Sequence, residues 1–327
     1  MTDATDPRHP WARLLGLAGL VWLAGPMTAA AFDLQAHRGG RGLAPENTLA
    51  AFRQAISLGV TTLELDLAIT KDDVVVVSHD PYLNPDLVRG PDGKWLEGIG
   101  PIIRSLPLSE LKRYDIGRVN PASGYARQFQ MQRPVDGQRF PILYEVYEIA
   151  PAPVRLNIEI KTDPTRPNDT ADPIYFTHLA VDQVKANKAV DRTMIQSFDW
   201  RTLREVRKVA PEIATACLTI ESRNSDTIRR DDPTPSQWLG GLDLKAQGGS
   251  VPRLAKAAGC AVWSPFWRNL TPEALAESHK LGLKVIPWTV NEPAEMARLI
   301  DRKVDGLITD YPEQALAILA EKGVKTR

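Results

Sequence analysis

This sequence has no excess charge of either sign: 40 Lys and Arg residues offset 40 Asp and Glu residues over 327 positions. A balanced chain projects no broad field toward polyanions. Nothing in it suggests a nucleic-acid partner or an anionic membrane surface, and an anionic substrate would have to be drawn in by a local site. Cysteine is almost missing, with only Cys217 and Cys260. Both stand in apolar, strand-like runs and read most simply as buried small hydrophobes, although an exported chain could pair them. Beyond the first 31 residues no apolar run is long enough to span a bilayer. There is no Gly-x-Gly-x-x-Gly turn after the first strand-like run, which disfavours an open dinucleotide-binding sheet. Internal repeats and low-complexity tracts are also lacking. What remains, 43% hydrophobic and 24% charged residues, suits one large domain with an ample core.

The N-terminus reads as a leader. Arg8 and Arg13 precede the apolar run Leu14 to Ala24, Pro26 interrupts it, and Ala29-Ala30-Ala31 offers a small-residue cleavage site before Phe32. That order predicts a signal peptide over residues 1–31 and a mature chain over 32–327 that is secreted or periplasmic, with no stable membrane insertion after cleavage. No cysteine lies near the cleavage point to be lipidated.

From Phe32 onward short apolar runs alternate with amphipathic helical patterns. The runs end near His37, Asp66, Lys161, Phe198, Thr219, Pro265, Thr289 and Thr309. Repeated strand–helix units of this kind predict an α/β chain folded as a distorted (β/α)8 barrel, the TIM barrel. Two features interrupt the repeat. Val74 to Val77 follows the turn Lys71-Asp72-Asp73 and predicts a hairpin that returns His79 to the barrel mouth. Residues 81–139, rich in Pro, Gly and Arg, form an insertion after the second strand and are expected to cap the site.

Candidate chemistry sits at the strand ends. Side chains alternate faces along a strand, so Leu63, Leu65 and Leu67 turn toward helices while Glu64 and Asp66 turn into the barrel. Likewise Ile158 and Ile160 oppose Asn157, Glu159 and Lys161. Buried carboxylates are costly unless paired or metal-bound. Glu64, Asp66 and Glu159, all oxygen donors, suit a hard divalent cation; an ion-pair network with Arg38 and Lys161 is the alternative. His37 and His79, each near an acidic strand end, are candidates for a general acid and a general base. Arg38 and Lys161 could bind phosphate oxygens. Asn47 is expected to cap the first helix, Phe198 and Trp288 to line a pocket, and His178 and His279 to be surface or structural residues.

These residues resemble the glycerophosphodiester phosphodiesterase family. The matching segments are His37-Arg38-Gly39 with Pro45-Glu46-Asn47-Thr48, Glu64-Leu65-Asp66, Val77-Ser78-His79-Asp80-Pro81, Glu159-Ile160-Lys161, Ser197-Phe198-Asp199, Trp288-Thr289-Val290-Asn291 and Asp305 to Asp310. The resemblance implies a distorted TIM barrel with a small insertion, metal binding by Glu64, Asp66 and Glu159, and acid–base work by His37 and His79. It implies hydrolysis of small-molecule glycerophosphodiesters, such as glycerophosphocholine or glycerophosphoethanolamine, to glycerol 3-phosphate and an alcohol. With the leader, it points to the exported branch, which favours Ca2+ over Mg2+. A lysophospholipid-cleaving barrel lyase and a non-catalytic phosphodiester-binding protein are the alternatives.

Overall fold

The computed structural model describes residues 31–326, so the leader expected over 1–31 lies, except for Ala31, outside the described residues. Among the described residues there are nine strands: β1 (Asp33–Ala36), β2 (Thr62–Ile69), β3 (Val75–Val77), β4 (Arg155–Ile160), β5 (Thr193–Ser197), β6 (Ala214–Thr219), β7 (Val262–Pro265), β8 (Lys284–Val285) and β9 (Gly306–Thr309). All but β3 form one parallel sheet in the order β8-β7-β6-β5-β4-β2-β1-β9. The ends of that sheet meet. Backbone bonds from Asp305 to Val285 (2.9 Å), Ile308 to Pro287 (3.0 Å) and Val290 to Ile308 (2.9 Å) join the β8 and β9 segments. The result is the expected (β/α)8 barrel, with β3 paired antiparallel on β2 as the predicted hairpin.

Helices α1 (Leu49–Leu58), α2 (Leu108–Leu111), α3 (Gly124–Gln128), α4 (Leu143–Ile149), α5 (Pro173–Ala186), α6 (Trp200–Val209), α7 (Val251–Ala258), α8 (Pro272–Lys280), α9 (Pro293–Asp301) and α10 (Pro312–Glu321) connect the strands. Prolines in the first turn of α5 and α7 to α10 start those helices, since that position needs no backbone donor. Leu63, Leu65, Leu67, Ile158 and Ile160 are fully buried with Phe52, Phe176 and Trp200 in one core between strands and helices. Each such side chain stabilises the fold by roughly 1.5–3 kcal/mol.

Inside the ring the lining is divided. Ala216, Val262, Ile286 and Ile308 make a small apolar cluster on one side. On the other, Asn157 donates to Gln35 (2.8 Å) and Gln196 (2.7 Å), and Gln196 donates to Glu64 (2.8 Å). Buried polar groups need such partners, and this network supports the charged residues above it. The segment after β3 has its own apolar core of Leu83, Val88, Ile103, Leu111, Ile116 and Phe140, anchored on Ala68 and Val76 of the hairpin.

Two expectations need correction. Cys217 and Cys260 are bonded, with Cα atoms 5.9 Å apart; β6 and β7 are neighbours, so burial and pairing occur together. Asn47 does not cap α1: Thr48 does, accepting from Ala51 N at 3.1 Å. Strand β8 is only two residues long; Pro287 just beyond it has no N–H to extend the ladder.

Candidate active site

The mouth of the barrel is built on a turn that leaves β1. Arg38 has φ 51°, and Gly39 and Gly40 follow at 83° and 85°. A Cβ on Gly39 would lie 2.9 Å from Ala51 Cβ, so glycine is required there by both angle and space. The turn aims the Arg38 N–H at Glu64, with Oε2 accepting at 2.8 Å. The Arg38 guanidinium reaches Glu46 at 2.8 Å and stands 3.2 Å from Asp66.

Register brings the acids together. Asp66 is level with Glu159 across the β2–β4 pair. Oxygen atoms of Glu64, Asp66 and Glu159 lie within 4.8 Å of one another, and all three residues are buried. Asn47, freed from capping, donates to Asp66 at 3.0 Å. Lys161 stands 3.0 Å from Glu159 and 3.8 Å from Asp66.

The charges here do not cancel. Burial, joined by repulsion from Asp66 and Glu159, pushes the Glu64 carboxyl well above its ordinary range. Burial lifts Glu159 to about 7 despite Lys161. Asp66 also pays for burial, but Arg38, His79, Lys161 and the Asn47 bond outweigh it and hold it far below the usual range. A buried group of acids with an unmet need for positive charge, offering only oxygen donors, can hold a divalent cation.

Each histidine is oriented by its own carboxylate. His37 Nδ1 is 2.6 Å from Asp310 Oδ1, and its Nε2 lies 4.0 Å from Glu64. Burial lowers His37 to about 4, helped by Arg41 and Arg38 and opposed by Asp310. Asp310 overcomes its own burial through Arg41 and His37 and stays ionised; Asn291 donates to it at 2.7 Å. His79 Nδ1 is 2.9 Å from Asp80, whose other oxygen accepts from Asn84 at 2.7 Å. Burial and the charges of Arg38 and Lys161 keep His79 below its ordinary value. With Nδ1–H donated to an ionised acid, the Nε2 lone pair of each neutral ring is left free.

The predicted site residues thus converge, apart from differences at the edges. Phe198 lines a cleft beside Lys161. Trp288 touches Phe198 with ring centroids 5.2 Å apart, but its indole N–H donates to Ser264 O at 2.9 Å and it packs on the apolar barrel interior. His178 and His279 pair with Glu205 and Asp305 on the outside, as expected. Sequence reasoning assigned no role to Asp80, Asp310, Arg41 or Gln196. The first two stood inside noted segments, but nothing in a linear pattern shows which histidine Asp310 meets. The insertion reaches the site through Tyr125, whose hydroxyl donates to Glu46 and accepts from Arg41 at 3.1 Å.

Comparison with known proteins gives the family. Residues 37–314 match the model of the glycerophosphoryl diester phosphodiesterase family. A glycerophosphodiester phosphodiesterase of Caldanaerobacter subterraneus subsp. tengcongensis is 31% identical, over 88% of this chain and 98% of that one. A crystal structure of a candidate glycerophosphoryl diester phosphodiesterase from Silicibacter pomeroyi DSS-3 superposes with TM-score 0.80 at 32% identity, over 90% of this chain and 95% of that one. An Oleispira antarctica phosphodiesterase, solved with its product sn-glycerol-3-phosphate, shares the fold at TM-score 0.65 and 23% identity, over 89% of this chain and 97% of that one.

Proposed function

Because the chain belongs to the glycerophosphoryl diester phosphodiesterase family, we propose that it hydrolyses glycerophosphodiesters to sn-glycerol 3-phosphate and an alcohol, using one divalent cation and His37 and His79 as the acid–base pair. The observation that carries this reading is the placement of two carboxylate-oriented histidines around one buried three-carboxylate cluster.

Glu64, Asp66 and Glu159 would hold the cation, which when bound supplies charge neutralisation at a phosphoryl oxygen and a lowered hydroxyl pKa. Oxygen-only, carboxylate-rich coordination and the leader together favour Ca2+ over Mg2+. One histidine takes the proton of the attacking oxygen, from water or the substrate's own 2-hydroxyl, through its free Nε2. The other, entering the reaction protonated at Nε2, gives that proton to the head-group oxygen as its bond to phosphorus breaks; where the 2-hydroxyl attacks, water then opens the cyclic phosphate. Asp310 and Asp80 hold each imidazole in the correct tautomer and favour its charged form as it takes up the proton. Arg38 and Lys161 would add positive charge toward the phosphate once the cation has taken over part of their carboxylate partners.

The leader supports export, and the Cys217–Cys260 bond supports an oxidising destination. The reaction is tested by incubating the purified mature chain with glycerophosphocholine, and separately with lysophosphatidylcholine. Release of glycerol 3-phosphate from the first supports the reading. Cleavage of the lysolipid alone would move the chain to the lyase class, and binding without turnover would leave a phosphodiester-binding protein.

A further inference from the structure

The cleft beside the carboxylates is lined by more than this reaction uses. It measures about 190 Å³ and is bounded by His79, Glu159 and Lys161 and by three half-buried rings, Tyr82, Phe198 and Trp238. The rings come from three separate segments. Tyr82 opens the insertion after β3, Phe198 follows β5, and Trp238 lies in the short helical turn Gln237–Leu239 after β6.

Three further carboxylates, Asp80, Asp163 and Asp169, and the Arg166 guanidinium complete the wall; Asp80 is taken up by His79 (2.9 Å) and Asn84 (2.7 Å). Asp163 is fully engaged: one oxygen accepts from Thr165 N (2.8 Å) and its hydroxyl (2.6 Å), the other from Arg166 (3.0 Å). Asp169 is not. Among the described residues its carboxylate meets only Arg166, at 3.6 Å, outside hydrogen-bond reach. Arg166 is 60% exposed and shared between Asp163 and Asp169, so these three side chains together keep one surplus negative charge.

We infer that this cleft is the leaving-group subsite and that it selects alcohols bearing a positively charged nitrogen, with Asp169 and the rings of Tyr82, Phe198 and Trp238 as its specificity-determining groups. The inference rests on the proposed reaction and names its substrate class. An ammonium two carbons from the ester oxygen lies next to the phosphate, which the carboxylate cluster and His79 place at one end of this cleft. Aromatic faces attract such a cation, and Asp169 has an oxygen to offer it. An anionic head group would face Asp163 and Asp169. A neutral polyol could bond to Asp169 but would gain little from three rings.

The test compares kcat/KM for glycerophosphocholine and for glycerophosphoglycerol, whose head group is neutral. Misfolding lowers both rates together, so their ratio within one protein is insensitive to it. Asp169→Asn and Trp238→Ala should each lower the choline-to-glycerol ratio by about tenfold, the size of a partly desolvated cation–aromatic or ion contact. Arg166→Gln, which releases both acids, should raise it. Tetramethylammonium should inhibit the native enzyme competitively and lose potency in Asp169→Asn. A ratio that stays constant in all three variants, whatever becomes of the two rates, overturns the inference while the reaction stands. If the native enzyme releases glycerol 3-phosphate from neither substrate, the reaction itself fails and the subsite falls with it.

Discussion

At the scale of single residues, the two histidines carry the strongest expectations. His37→Ala and His79→Ala should each lower turnover on glycerophosphocholine by roughly 10²–10⁴-fold, the range for losing a general acid or base. Calcium binding should survive, because the proposed ligands are carboxylates, and the double variant should lose little more than either single one. A nitrophenyl ester, whose leaving group needs little protonation, should rescue the variant lacking the acid and not the other. Near-native turnover in both variants would make the rings structural. His37 also predicts a pH dependence of stability. Its folded value is lowered to about 4, against about 6.5 unfolded. As pH falls through that window the unfolded chain takes up a proton that the folded chain refuses, so stability drops. In chelator, denaturant melts of His37→Gln should show a flatter curve between pH 6.5 and 4; an unchanged curve would contradict this. His37, His79 and the three acids were legible in the sequence because each stands in a short segment whose strand alternation turns it inward. Asp310 was not, since it reaches His37 across 273 positions, and contact at that separation exists only once β1 and β9 are paired.

Among the elements, the alternation of strands and helices was legible, because the two hydrophobic periods are local patterns. The exceptions are physical too. Helix α4 is seven residues long, and its run Leu143-Tyr144-Glu145-Val146-Tyr147-Glu148-Ile149 is rich in residues that favour strands; packing of Leu143, Val146 and Tyr147 on the barrel and the bond from Ile142 N to Glu145 (2.9 Å) make it helical. The disulfide was left open because burial in apolar runs describes a bonded and a free cysteine equally well. It closes a loop across 43 positions, so Cys217→Ala combined with Cys260→Ala should destabilise the fold by about 2–4 kcal/mol. Urea midpoints of oxidised native protein and double variant check this; equal midpoints would mean that the bond contributes nothing. Thr48→Ala, which removes the α1 cap, should cost about 1 kcal/mol by the same measurement.

Over the whole molecule, the division of the barrel interior explains why the carboxylate cluster lies on one side. The apolar cluster under β6 to β9 gives a charge nothing to bond with, whereas the Gln35–Asn157–Gln196 network supports Glu64 from beneath. The proposed leader predicts that exported protein begins near Phe32; N-terminal sequencing that finds Met1 on cytosolic protein would contradict it. The central claim is that a divalent cation on Glu64, Asp66 and Glu159 works with the two histidines. It is tested most directly by titrating Ca2+ into chelator-stripped protein while following glycerol 3-phosphate release from glycerophosphocholine. Activity should be absent at the start and rise to saturation at one cation per chain, and Glu64→Gln should shift the requirement to higher Ca2+ while leaving the fold intact. Full turnover in excess chelator would contradict the claim.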